Sequence, residues 1–251
     1  MLGLFIAMAD NYSLDLYPKL SNMSIFYKIL AYLLSPYYVV KNLIVNLQLK
    51  YRTSSFRLDP DLKRTGVKKA VISNEFSFTL LNKIAKTYNL TFNDLLTSII
   101  SKVSKKVLQS YNSDRDRISK ITVGTTMSMR TMPQTLKEHQ IINDSQGQIF
   151  DLPLIDDPIK QGKKIKKLMI EKLKNPFIAI AGKLLENFVA YIMPYSIMAS
   201  TIVDTSQGID IYVSNVPGPN KELYYSGIRA SKSMYFANSE YVEFLPSDTY
   251  V

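Results

Sequence analysis

Ser214-Asn215-Val216-Pro217-Gly218-Pro219 ends an apolar run, Ile209 to Val213. Isoleucine, tyrosine and valine favour an extended backbone, so the run opens a strand expected over Ile209 to Val216. Pro217-Gly218 suits the central pair of a type II turn, and Pro219 stops the strand from resuming as a central one. Gly227 to Phe236 then reads as a closing strand. Upstream, Pro176 to Val203 is an apolar helical region, interrupted by Pro194 and Gly182, with Lys183 and Glu186 on one side. A hydrophobic stretch of that length suits either a buried interface or a membrane-facing surface.

Before that region stands the densest charge cluster, Lys160, Lys163, Lys164, Lys166, Lys167, Lys172 and Lys174. Ile165, Leu168, Met169 and Leu173 recur among them at helical spacing, which makes a basic amphipathic helix. Its apolar positions pack most simply on the domain; the other reading is a face lying near a membrane surface. Residues 131 to 157 read as a long loop with one short strand near Ile149, and Ile121 to Met129 as a strand. Thr91 begins a helix to about Tyr111, on which Leu95, Leu96, Ile99, Ile100, Val103, Val107 and Leu108 form one stripe with a period of about 3.6. A strand over Val67 to Ser73 and a helix from Glu75 to Tyr88, capped by Ser73 or Asn74, precede it.

Residues 12 to 50 hold two apolar segments, Ile25 to Leu34 and Tyr37 to Leu49, separated by Pro36 and punctuated by Lys28 and Lys41. Neither reaches the roughly 20 uninterrupted apolar residues that span a bilayer as a helix. Proline removes a backbone donor and clashes with the preceding turn, so a kinked helix or a helix pair is expected. Residues 51 to 66, polar and basic with Pro60 and Gly66, read as a linker. The expected organisation is therefore a helical connecting region and linker over 1–66 and a mixed C-terminal domain over 67–251.

Composition narrows the chemistry. The chain has 251 residues, 46% of them hydrophobic, which excludes general disorder and allows one large or two small domains. It contains no cysteine and a single histidine, His139, so disulfides and thiol nucleophiles are excluded and a transition-metal site is not expected. The net charge of +10 invites anionic partners: nucleic acid, anionic lipid or the phosphates of coenzyme A. Lysines scattered over a solvated surface would give the same number. Nucleic acid is the weakest option, because no aromatic-interleaved strand, zinc knuckle or recognition helix stands out.

Four segments, taken in order, resemble the wax ester synthase / diacylglycerol acyltransferase (WS/DGAT) family over roughly residues 52 to 240. Ser214 to Pro219, followed by Leu223-Tyr224-Tyr225-Ser226-Gly227-Ile228, is similar to its SNVPGP signature. Leu90-Thr91-Phe92-Asn93-Asp94-Leu95-Leu96 resembles its TvNDvvL segment. Val123-Gly124-Thr125-Thr126-Met127-Ser128-Met129-Arg130 is similar to its vPVSlR strand, with Gly124-Thr125 replacing the usual apolar-proline pair. Gly147-Gln148, Leu152-Pro153-Leu154 and Asp157-Pro158 resemble its GNq…LP…dP stretch, loosely at Ser145 to Gln148.

The resemblance implies an α/β fold of the chloramphenicol-acetyltransferase-like (CoA-dependent acyltransferase) type, with this chain supplying the C-terminal half and a helical N-terminal connection. It implies O-acyl transfer from acyl-CoA, as co-substrate and not cofactor, to a long-chain alcohol or diacylglycerol, giving wax ester or triacylglycerol. The family's base lies in an HHxxxDG motif. One histidine cannot form it, and no aspartate-glycine pair follows His139, so no catalytic residue is expected in this chain and none that holds a metal. Met1 to Asp10 resembles the helix that follows HHxxxDG, so the chain is expected to begin just downstream of it, as a truncated gene model or a shortened protein.

Asn93 and Asp94 carry two readings. With Thr91 as N-cap, Asp94 sits at N3, where its carboxylate bonds back to the cap amide and favours the positive helix end. The resemblance makes the pair a supporting element that fixes the histidine motif's loop. Ser214, Asn215, Pro217 and Gly218 are the substrate-channel candidates. The expected setting is intracellular, peripheral to the endoplasmic reticulum or lipid droplet surface. Two rivals remain: a non-catalytic relative that binds lipid or a membrane face, and a regulatory half that pairs with an intact paralogue.

Overall fold

In the computed structural model the described residues are 8–13, 25–56, 71–111, 118–128, 145–172, 175–215 and 221–230. Six helices and five strands lie among them: α1 (Ile25–Lys50), α2 (Phe78–Thr87), α3 (Phe92–Tyr111), β1 (Lys120–Ser128), β2 (Ser145–Pro153), α4 (Pro158–Lys172), α5 (Pro176–Ile192), α6 (Tyr195–Ser206), β3 (Ile211–Val213), β4 (Tyr224–Tyr225) and β5 (Ile228–Arg229). The class is mixed helix and sheet, as the alternation of patterns in the sequence implies.

The central sheet has the order β2-β1-β3. β1 and β2 pair antiparallel over their full lengths, from Lys120 opposite Pro153 to Ser128 opposite Ser145. β3 joins the other edge of β1 in parallel, Val123 opposite Ile211 and Thr125 opposite Val213. Buried and open positions alternate along β2, so Phe150 and Leu152 point inward. They meet Ile121 and Val123 of β1, Leu108 of α3, Ile165 and Met169 of α4, and Phe56, in one core cluster. Ile165 and Met169 are among the positions the helical spacing of the basic segment assigns to the domain side, and both are buried. The polar residues of this side are paired too: the Ser101 hydroxyl donates to the Pro153 carbonyl at 2.6 Å, and the buried Gln161 amide donates to Ser101.

Several local expectations change. Residues 71–77 form no strand, and the helix after them starts at Phe78, where Ser77, not Ser73 or Asn74, accepts from the Leu80 amide at 3.3 Å. Strand propensity at Val71 and Ile72 is not realised because neither is paired, and both are exposed. The β2 strand runs nine residues, longer than a short strand near Ile149, because β1 offers it a full ladder. Pro36 neither ends nor divides α1. Its missing N–H leaves the Tyr32 carbonyl without the usual donor, and the Ser35 hydroxyl donates to that carbonyl at 2.7 Å. Gly182 does not interrupt its helix either: a Cβ there would stand 2.6 Å from the Gln146 side-chain amide, so glycine lets α5 pass close to β2. The break falls at Met193 and Pro194, where α5 gives way to α6.

α1, α5 and α6 pack together as a helical layer. Tyr38 of α1 stacks on Phe177 of α5 at 6.0 Å between ring centres. Ala31, Ser35, Ala181 and Ser206 are buried, while Phe26, Leu33, Tyr37, Val40, Leu47, Tyr191 and Tyr195 stand in solvent. Leu49 and Ile178 are buried with the small residues, while most of the large apolar side chains face out. No helix among the described residues is long and apolar enough to cross a membrane. Residues 51–56, the described part of the segment read as a linker, lie against the sheet, with Phe56 in the core.

Candidate functional site

α3 starts with a reciprocal cap. The Asp94 amide donates to the Thr91 hydroxyl at 3.2 Å, and the Thr91 amide donates to the Asp94 carboxylate at 2.8 Å. Asp94 is 2% exposed and so is committed to this turn. The sequence pattern threonine-x-x-aspartate anticipates that geometry, with aspartate in the place glutamate more often takes. One residue earlier on the same turn, Asn93 faces outward.

That outward side chain meets the strand-end motif. The Asn215 side-chain amide donates to the Asn93 side-chain oxygen across 122 positions of sequence. The structure therefore brings together residues of two of the four segments singled out in the sequence. Asn93 keeps both of its own N–H donors, and Asn215 its acceptor oxygen, unengaged among the described residues. Ser214 is exposed beside them. Pro217 and Gly218 lie outside the described residues, as does His139.

The Gly124 departure from the family pattern has a steric reason. Tyr212 is the β3 partner of Gly124, and a Cβ on Gly124 would stand 2.7 Å from the Tyr212 ring. The ring lies across β1, and this partial burial pushes the phenol above its ordinary value of 10.0.

The segment before α1 is tied to the β4–β5 hairpin. The Asp10 amide donates to the Tyr224 carbonyl at 2.7 Å, and the Asp10 carboxylate accepts from the Gly227 amide at 2.7 Å. Asn11 donates to the Glu222 carbonyl at 2.8 Å and accepts from the Tyr224 amide at 3.2 Å. Asp10 and Asn11 thus clamp the β4–β5 hairpin, which turns through Ser226 and Gly227, both at positive φ.

A second polar cluster, at the start of β1, was not foreseen. Asp210 accepts from the Thr122 amide at 2.6 Å, the Ser54 hydroxyl at 2.9 Å and the Ser55 amide, while its own amide donates to the Thr122 carbonyl at 2.9 Å. Arg52 Nη1 donates to Thr122 Oγ1 at 2.7 Å and to Asp151 at 2.8 Å, and Lys120 bonds the other Asp151 oxygen at 2.6 Å. Partial burial pushes the Asp151 carboxyl upward, but bonds and charges from Lys120 and Arg52 outweigh it and hold the group below its ordinary 3.8. The one visible signal was Asp210 itself, an acid inside an otherwise apolar strand run. Among the described residues no three histidine, cysteine or acidic side chains come together as a metal site.

Residues 146–240 match the family model described as the WS/DGAT C-terminal domain. That span includes the SNVPGP motif and excludes Asn93 and Asp94. Comparison with curated proteins and with solved structures gives no match.

Proposed function

We propose, from the premise that residues 146–240 make this chain a relative of the WS/DGAT acyltransferases, that it forms the C-terminal half of an O-acyl transfer site. The observation that carries this reading is the Asn93–Asn215 bond, which joins the helix start to the strand end within one polar corner. In the reaction, a base takes the hydroxyl proton of a long-chain alcohol or diacylglycerol. The oxygen attacks the thioester carbonyl of acyl-CoA, and coenzyme A leaves as the thiol once the proton reaches its sulfur. With one histidine this chain cannot supply the HHxxxDG base, so its part is to line the channel through Ser214, Asn215, Pro217 and Gly218 and to support the base through Asn93 and Asp94. The proposed fold is the chloramphenicol-acetyltransferase-like one, with 1–66 as the connection and 67–251 as the C-terminal domain.

The test is acyl-CoA consumption with hexadecanol and with diacylglycerol, for this chain alone and for the chain preceded by an HHxxxDG segment. Turnover is expected only with that segment, and Asn93→Ala should then lower it with little change in melting temperature. Robust turnover by the chain alone, lost in His139→Ala, sinks the proposal.

A second reading draws on the helical layer. Large side chains outward and small ones inward is the arrangement of helices that face hydrocarbon. α1 carries Lys41 and no acid, with Lys50 paired to Asp204 of α6, and this suits an anionic lipid surface such as that of the endoplasmic reticulum or a lipid droplet. This reading covers a non-catalytic lipid-binding relative or a regulatory half. Sedimentation with vesicles containing phosphatidylserine checks it: binding should fall with salt and with Leu33→Gln/Val40→Gln, and equal binding by the variant removes it.

A further inference from the structure

The C-terminal end of α1, the start of β1, the end of β2 and the last turn of α4 enclose a cleft of about 510 Å³. Its size falls in the range that accommodates small organic ligands, roughly 300–1,000 Å³. Its lining includes the apolar Val45, Leu49, Phe150 and Leu168. It also includes Arg52, Lys120 and Lys172, with Asp151 as the single acid. Asp151 answers two of the cations, through one bond to Arg52 Nη1 and one to Lys120. Arg52 is thereby fixed in place by Thr122 and Asp151, with Nε and Nη2 unengaged among the described residues. Lys172 has no acidic partner among them.

A guanidinium already held in position, with free donors in a planar fork, matches the oxygens of a carboxylate or phosphate. Lys172 adds a second cation to the same lining, with no acidic partner among the described residues. The apolar part of the lining suits hydrocarbon. We propose that the cleft is a binding site for a single-headed anionic amphiphile, its carboxylate or phosphate head between Arg52 and Lys172 and its aliphatic chain against Val45, Leu49 and Leu168. The site is separate from the Asn93–Asn215 corner. Lys120 and Thr122 open β1, whereas Asn215 follows β3 at the other end of that nine-residue strand. The two therefore lie roughly 20 Å apart along the sheet.

Titration calorimetry of the full chain with octyl phosphate, octanoate, octanol and inorganic phosphate tests it. One of the two charged octyl ligands should bind at least about tenfold more tightly than octanol and than inorganic phosphate. Which of the two binds better identifies the head group as phosphate or carboxylate. Lys172→Glu should weaken that binding by about tenfold, because it replaces the free cation with an anion. Lys167→Glu changes charge equally on the same helix but at a residue outside the cleft, and should leave binding within about twofold. Octanol binding as tightly as the charged ligands overturns the proposal. So do inorganic phosphate matching them, equal losses in the two variants, and no binding by any ligand.

Discussion

The two sides of this molecule treat their large apolar residues in opposite ways. On the side of α3, α4 and the sheet, Leu108, Ile121, Leu152 and Ile165 are at most 1% exposed and touch one another. In the layer of α1, α5 and α6, many side chains of the same kinds stand in solvent, Leu33 at 71% and Tyr191 at 93%, around a seam that buries Ala31, Ser35, Leu49, Ile178 and Ala181. Composition does not distinguish these regions; only the position of each residue relative to a neighbour does. The sheet side holds a closed core, with Ile99, Val103, Ile159 and Ile170 exposed on the outer faces of α3 and α4. The helical layer has the surface of something made to be covered, since exposed apolar patches beyond a few hundred Å² mark contact surfaces.

Substitution should separate the two sides sharply. Leu152→Ala leaves a cavity at the centre of the closed core and should cost about 2–5 kcal/mol, read as the midpoint of urea unfolding. A loss below about 1 kcal/mol would show that this core relaxes as an open surface does. Next in size is Asp94→Ala, which removes one half of the reciprocal cap and an acid from the helix start, for about 0.5–2 kcal/mol. Asn93→Ala on the same turn should cost much less, because its side chain faces the corner and not the cap.

Acid distinguishes the sides more gently. Asp151 is held below its ordinary value, so the folded state binds its proton less readily than the unfolded one. Its contribution is therefore complete above the unfolded value of 3.8 and is lost as pH falls through the lower folded one. Stability should decline with acid below about pH 3.8, and in Asp151→Asn that part of the decline should be missing. The group is 37% exposed, so solvent screening keeps the effect small. Smallest of all, Leu33→Gln/Val40→Gln on the helical layer should move stability by no more than about 0.5 kcal/mol. The same pair should reduce binding of a hydrophobic dye and lessen association. A large loss of stability would mean that the outward face is already packed in solution.

What could be read from sequence follows the same division. Helices with a clear stripe, α3 and α4, were legible because their periodicity repeats over several turns, and so were the Thr91–Asp94 cap and the strand within Ile209 to Val216. Gly182 misled because it was taken as a break, whereas Pro36 left a kinked helix or a helix pair open and one helix forms. A hydroxyl one residue away supplies what Pro36 lacks, and a close neighbour explains Gly182. The Asn93–Asn215 and Arg52–Asp151 bonds join residues 122 and 99 positions apart, and Lys120–Asp151 residues 31 apart, which no local pattern encodes. Asp210 gave a hint as an acid in an apolar run, but its partners Ser54 and Thr122 are set by the parallel pairing of β3.

That parallel pairing also sets an order of events in folding. β1 and β2 are neighbours in the chain and can zip as an antiparallel pair, while β3 reaches β1 only after β2, α4, α5 and α6 have been traversed. Closing that long loop carries an entropic cost that local contacts do not meet, so contacts of high sequence separation form late. Asn215 reaches Asn93 by way of β3. The corner is therefore the last part of the sheet edge to assemble and the first to open, and native-state hydrogen exchange should find the amides of Ile211 to Val213 less protected than those of Ile121 to Val123.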